Sequence, residues 1–148
     1  MMDPVRSVRR AAVLGAGVMG AQIAAHLANA GVRVDCFELA RDDDADARAG
    51  AQRGIDRLAK AKPAPLADSR APARIHPASY ATDLERLADC DLVIEAVAER
   101  LDIKQSVYEQ VASAVGGETL FVTNTSGLAI HTLAQYLPSG LRGRFCGV

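Results

Sequence analysis

Twelve residues, VLGAGVMGAQIA from Val13 to Ala24, carry glycines at the spacing G-x-G-x-x-G: Gly15, Gly17 and Gly20. An apolar run, RRAAVL, precedes them and a stretch of helical period follows. In that setting each glycine has a role in holding a dinucleotide. Gly15 allows a tight turn, Gly17 lets a pyrophosphate approach the backbone, and Gly20 lets the helix lie close on the strand. The first N–H groups of the helix have no partners within it and face the phosphates. Ala16, Val18 and Met19 complete the loop as cofactor-binding positions. Taken alone, the motif also fits a tight turn in some other α/β protein. Glu38 narrows the reading, because it closes the next apolar run at roughly the 20-residue distance where dinucleotide-binding folds put a carboxylate on the adenosine ribose. A solvated carboxylate at a strand end is the plainer alternative. Arg41 could attract a 2′-phosphate, so NADP stays open beside the preferred NAD.

Two later stretches set polar residues at strand ends, where an open α/β sheet binds its ligand. DLVIEAVAERLDIK ends its strand near Val97 and leaves Glu99, then Lys104 a turn into the next helix. TLFVTNTSGLAI runs into Thr123, Asn124, Thr125, Ser126 and Gly127, a cluster of short hydrogen-bonding side chains. Ser126 could equally cap the helix that LAIHTLAQYL predicts. Glu95 lies inside an apolar strand and is either a strand-edge carboxylate or a paired buried one.

The elements that must position these groups follow from the alternation of short apolar runs with helical stretches: RRAAVL, VRVDCFE, DLVIEAV, TLFVT and RFCGV. That order predicts βαβ units and an α/β fold with a mainly parallel sheet covered by helices on both faces. Met19, Ile23, Leu27 and Ala30 recur at helical spacing, with Gly31 as the C-cap. RDDDADARAGAQRGIDRLAKAK reads as a polar surface helix with an acidic start suited to the helix dipole and a thin apolar stripe at Ile55 and Leu58. From Pro63 to Pro77 an irregular connection is expected, then a brief strand near Tyr80 and a helix through Leu84 and Leu87.

With 148 residues the chain is the size of one domain. A net charge of -1 gives no electrostatic case for nucleic acid or an anionic membrane. Cys36, Cys90 and Cys146 stand among apolar neighbours and read as reduced core thiols, not a disulfide frame or a metal site. No run is apolar enough to span a membrane, and MMDPVRSVRR lacks the form of a signal peptide, so a cytoplasmic protein is expected.

VLGAGVMGAQIAAHLANAG, DLVIEAVAERLDIK, TNTSGLAI and RGRFCGV, in that order and at those intervals, resemble the NAD-binding domain of L-3-hydroxyacyl-CoA dehydrogenases, including the dehydrogenase part of bacterial multifunctional fatty-acid oxidation proteins. The resemblance covers nearly the whole chain and is weakest from about Asp42 to Ser79. The pattern E-A-x-x-E at Glu95 to Glu99, joined to N-T-S at Asn124 to Ser126, is its most specific part. It implies a Rossmann-type doubly wound domain with NAD as cofactor. By the same resemblance Gly15 to Gly20 would hold the pyrophosphate, Glu38 the adenine ribose, and Glu99 and Lys104 would lie along the nicotinamide side. Ser126 would touch both the cofactor and the substrate's 3-oxygen, with Asn124 shaping that pocket. These two are the residues assigned to catalysis. Gly127 stands where some members have a second serine, and Lys60 and Lys62 where members present lysines to CoA phosphates.

In the family the catalytic histidine follows directly on the residue matching Val148, and its carboxylate partner and an all-helical second domain come later. The resemblance therefore implies that residues 1–148 are the cofactor half of an enzyme that interconverts L-3-hydroxyacyl-CoA and 3-oxoacyl-CoA in fatty-acid β-oxidation, and that this half alone is inactive. His26, His76 and His131 do not replace the missing base: they fall in the first helix, the proline-rich connection and the helix after Ser126. The native homodimer would form through the second domain, leaving this half a monomer or a weak self-associate. A non-catalytic NAD-binding or redox-sensing module, and a 3-hydroxyacid dehydrogenase of the phosphogluconate type, remain the alternatives.

Overall fold

The computed structural model describes residues 7–148; the first part of MMDPVRSVRR lies outside them. Six parallel strands form one sheet in the order β3-β2-β1-β4-β5-β6. They are β1 (Arg10–Leu14), β2 (Arg33–Glu38), β3 (Ile75–Ser79), β4 (Leu92–Glu95), β5 (Leu120–Thr123) and β6 (Phe145–Gly147). The helices are α1 (Val18–Asn29), α2 (Ala49–Leu58), α3 (Leu101–Val111), α4 (Ile130–Ala134) and α5 (Ser139–Arg142), with 3-10 turns at Ala71–Arg74 and Leu84–Asp89. This is the doubly wound Rossmann-type arrangement, with its order reversing between β1 and β4.

Strand alternation divides the interior in two. Ala11, Val13, Val34 and Cys36 face one core with α1 and α2; Ala12, Leu14, Phe37, Val93 and Phe121 face the other with α3 and α4. Register then aligns the carboxyl ends: Leu14 pairs with Phe37 on one side and Glu95 on the other, and Glu95 pairs with Thr123. At the opposite end the buried Asp35 takes ion pairs from Arg10 at 3.2 Å and Arg86 at 3.3 Å. Nearby, Arg48 beside the buried Asp83 holds that carboxyl down to about 2.

Several expectations are corrected. In α1 the buried residues are Gly20, Ala21, Ala24, Ala25 and Ala28, whereas Met19 is 57% exposed, Ile23 and Leu27 are half-buried and Ala30 is exposed. Small residues face the sheet because the helix lies so close: a Cβ on Gly20 would collide with the Gly15 carbonyl. Gly31, with φ +86°, does terminate this helix. The helix α2 begins only at Ala49, so the Asp42–Asp46 run precedes it and no acidic residue sits in its first turn. Nor is α2 a loosely attached surface helix. Gly50, Ala51, Gly54 and Leu58 are buried, and Gly54 sits against the carbonyl of Ala16 in the glycine turn. The strand expected near Tyr80 ends at Ser79 and includes His76 and Pro77 on a sheet edge, where a missing N–H is tolerated. The helix through Leu84 and Leu87 is a 3-10 turn. Cys36 and Cys90 are buried, their thiols pushed up to about 12 by that burial, but Cys146 on the edge strand β6 is exposed.

The approach of α2 to the glycine turn sets an expected outcome. Gly54→Val should destabilise the fold by about 1–3 kcal/mol through overpacking. Gly17→Ala, whose added carbon would meet nothing within 4 Å, should cost less than about 1 kcal/mol. Urea denaturation of both variants checks this, and equal losses would contradict it.

Candidate active site

The glycine turn is built before any ligand arrives. Gly15 adopts φ +105° and its N–H donates to the Phe37 carbonyl at 2.9 Å, tying the turn to the end of β2. Glu38 then grips it: Oε2 accepts from the Ala16 N–H at 2.8 Å while Oε1 accepts from the Leu39 N–H at 2.9 Å. From the other side Arg57 donates to the Ala16 carbonyl at 2.7 Å. Gly17 is the N-cap of α1 and provides no side-chain cap, and the space above it is open. The leading N–H groups of α1 thus face outward with no side chain over them. Val18 and Met19 are exposed beside them.

Two pockets adjoin along this edge, both bordered by Gly17, Glu38 and Leu39. One, of about 250 Å³, is polar and lined further by Arg41, Arg53 and Arg57. The other, of about 270 Å³, is walled by Tyr80, Ala96, Val97, Ile103 and Val107. Arg53 is engaged by Asp44 through two hydrogen bonds of 2.6 and 2.8 Å.

Across the sheet, β4 ends at Glu95, two residues before the expected Val97. Of the two readings of Glu95, the structure has the paired buried one. Its Oε1 accepts from Lys104 Nζ at 2.6 Å and from the Val97 N–H at 2.8 Å. Its Oε2 accepts from the hydroxyls of Tyr108 at 2.9 Å and Thr123 at 2.6 Å. Lys104, expected along the cleft, is therefore turned inward, with a side chain 1% exposed. Burial, then the Glu95 charge, pushes the Tyr108 phenol far above its ordinary range, so it stays a neutral donor.

Glu99 does reach the second cluster. Its Oε1 accepts from the Ser126 N–H at 2.8 Å and from the Gly127 N–H, and these bonds hold the carboxyl below its usual range. Asn124 donates its N–H to the Glu95 carbonyl at 2.8 Å, and Thr123 and Thr125 hydroxyls lie 2.6 Å apart. Ser126 is exposed and does not cap the following helix: α4 starts at Ile130, with Ala129 as N-cap and no side-chain cap. The glycine turn, Glu38, Glu99 and Ser126 thus share one carboxyl edge. His131 is exposed at the start of α4, His26 is exposed in α1, His76 sits in β3, and none of the three lines either pocket. Lys60 and Lys62 are exposed beyond α2. The sequence reading missed Tyr80, Arg53, Arg57 and Tyr108; the only local signal was i, i+4 spacing, which sets Arg53 with Arg57 and Lys104 with Tyr108 on one helix face.

A family model described as the NAD-binding domain of 3-hydroxyacyl-CoA dehydrogenase matches residues 10–148. The chain belongs to that family. It is 37% identical over 140 residues to a probable 3-hydroxyacyl-CoA dehydrogenase of Deinococcus radiodurans, covering 95% of this chain and 40% of the relative. It is 33% identical to a putative fatty acid oxidation complex trifunctional enzyme of Rickettsia felis, covering 93% of this chain and 19% of that protein. Among solved structures, 3-hydroxybutyryl-CoA dehydrogenase from Escherichia coli K12 superposes with a TM-score of 0.73 at 32% identity, over 96% of this chain and 29% of that one. The chain thus spans less than half the length of these relatives.

As an NAD-binding domain of this family, the chain has a cleft that fits its cofactor: an uncapped helix start with open space above Gly17, and a carboxylate at the end of β2. The buried pair beneath the other half generates the second expected outcome. Glu95→Ala leaves the Lys104 ammonium without a counter-ion and should cost about 3–5 kcal/mol. The double variant with Lys104→Met should recover part of that loss. Denaturant melts of the two proteins decide it, and equal stability would mean that the stranded ammonium is not the source of the loss.

Proposed function

We propose that this domain is the cofactor half of an enzyme that interconverts L-3-hydroxyacyl-CoA and 3-oxoacyl-CoA in fatty-acid β-oxidation, working in the cytoplasm as a homodimer completed by a helical second domain. The observation that carries the reading is the alignment of the Gly15–Gly20 turn, Glu38 and the Glu99–Ser126 contact on one carboxyl edge. Bound NAD supplies the hydride acceptor. The residues here bind and orient. The leading N–H groups of α1 face the pyrophosphate, and Glu38, held by the Ala16 and Leu39 N–H groups, takes the adenosine ribose. Glu99 fixes the Ser126 backbone, so that the Ser126 hydroxyl serves the cofactor and the 3-oxygen of the substrate, with Asn124 shaping the pocket. Lys104 acts on the nicotinamide side through Glu95, as a buried support for the floor of the cleft. The proton acceptor would be the family's histidine, which follows directly on the position of Val148, and acyl-CoA is the substrate partner.

Cofactor choice tests the adenosine side. At an intermediate dielectric, like charges about 4 Å apart repel by roughly 4 kcal/mol, which solvent and the neighbouring arginines reduce to about 1–3 kcal/mol. NADH should therefore bind about 5- to 150-fold more tightly than NADPH, and Glu38→Gln should narrow that ratio. Fluorescence titration measures it; a ratio of one in the unsubstituted chain would remove Glu38 from specificity.

Activity tests the division of labour. Against a protein extended through the second domain, residues 1–148 should reduce acetoacetyl-CoA with NADH at least about 100-fold more slowly, the lower range of what a positioned base contributes. Comparable turnover would assign proton transfer to His131 or another residue of this domain.

A further inference from the structure

The hydroxyls of Thr123 and Thr125 lie 2.6 Å apart, and that distance alone does not say which of them donates. The groups beneath decide it. Glu95 meets the Lys104 ammonium at 2.6 Å as a carboxylate, which has acceptor sites only. Its Oε2 takes the Tyr108 hydroxyl at 2.9 Å and the Thr123 hydroxyl at 2.6 Å. A threonine has one hydroxyl proton, and that of Thr123 is committed to Glu95. Thr123 can therefore meet Thr125 only as an acceptor, and the Thr125 proton points inward. Because Thr123 is fully buried, solvent does not reach its oxygen to take that place.

This proton order gives Thr125 a part that its neighbours do not have. It stands between Asn124, whose N–H reaches the Glu95 carbonyl at 2.8 Å, and Ser126, whose N–H is held by Glu99 at 2.8 Å. Glu99 is exposed and grips the loop from the solvent side, whereas Thr125 is half-buried and grips it from the core. The following helix adds no side-chain cap. With its proton spent on Thr123, the Thr125 hydroxyl has none to donate to a ligand. What it contributes runs through the backbone it anchors, and the next residue on that backbone is Ser126.

We propose that Thr125 is a positioning residue for Ser126: its inward hydroxyl ties the loop to the buried Glu95 network and so sets where the Ser126 side chain meets the nicotinamide half of the cofactor. The proposal rests on the reading in which Ser126 touches the cofactor. Thr125→Val keeps the shape of the side chain and removes the hydroxyl, and Thr125→Ser keeps the hydroxyl. Calorimetric titration of the chain with NADH and with ADP-ribose, which lacks nicotinamide, separates the two halves of the ligand. The unsubstituted chain should bind NADH more tightly than ADP-ribose. Thr125→Val should lose about 3- to 10-fold in affinity for NADH and none for ADP-ribose, and Thr125→Ser should restore most of the loss.

Ser126→Ala should show the same loss confined to NADH, and the double variant Thr125→Val with Ser126→Ala should lose no more than the larger single loss, because both act through one contact. A purely structural hydroxyl would lower the melting temperature and leave the ratio of the two affinities as it was, which overturns the proposal. So does a loss in Thr125→Ser as large as that in Thr125→Val, or additive losses in the double variant. If the unsubstituted chain shows no preference for NADH over ADP-ribose, the placement of Ser126 at the cofactor itself fails, and this role for Thr125 with it.

Discussion

The carboxylate of Glu95 is the constraint on which the Asn124–Gly127 end of the cleft depends. It accepts four hydrogen bonds, from Lys104, the Val97 N–H, Tyr108 and Thr123, and so joins β4, the turn after it, α3 and β5 at one buried point. In a low-dielectric interior such a network is favourable only when every member is satisfied. Here both carboxylate oxygens are doubly used. The chain of contacts continues outward, because Thr123 meets Thr125 and the Glu95 carbonyl takes the Asn124 N–H. Glu99 pins Ser126 and Gly127 from the solvent side. Two carboxylates four residues apart therefore hold the Asn124–Gly127 loop from beneath and from above. An exposed loop of short polar residues would otherwise be free to wander, and preorganisation of this kind lowers the ordering cost of binding.

The glycine turn is held by a different principle, close approach of backbone to backbone. The small faces of α1 and α2 bring both helices onto the turn, with Gly20 against the Gly15 carbonyl and Gly54 against the Ala16 carbonyl. The peptide groups of Ala16 are then fixed at both ends, its N–H by Glu38 and its carbonyl by Arg57. α2 therefore contributes to the site although it carries no residue of the phosphate motif. Its glycines bring it close, and Arg57 uses that closeness.

What could be read in the sequence was local. Strand runs, the glycine turn and Glu38 at the end of β2 depend on spacing within about 30 residues, the length of one βαβ unit, and the sheet followed from their alternation. What could not be read depended on partners far along the chain. The stripe of Met19, Ile23 and Leu27 suggested the buried face of α1, but helix-to-sheet distance decided that face in favour of alanines. Lys104 was expected along the cleft because it follows the carboxyl end of a strand and by the family resemblance. Only the pairing with Glu95 shows that it points inward. Gly54 sat in the stretch where the family resemblance was weakest and Tyr80 directly after it, and they contact Ala16 and Phe37.

The adenosine side shows how one carboxylate can serve two purposes beside several cations. Glu38 borders the same polar pocket as Arg41, Arg53 and Arg57, which by charge alone would invite a phosphate. The pairing pattern argues otherwise. Arg53 is paired with Asp44, and Arg57 directs one N–H to the Ala16 carbonyl. Arg41 is exposed, and its guanidinium makes no hydrogen bond among the described residues, so solvent screens its charge. Glu38 is the fixed charge, clamped by two N–H groups at the end of β2. A fixed anion acts on a ligand at a defined distance, whereas a flexible cation must lose conformational freedom to act at all. The pocket is therefore cationic by count, while the charge held at a fixed place in it is the Glu38 carboxylate.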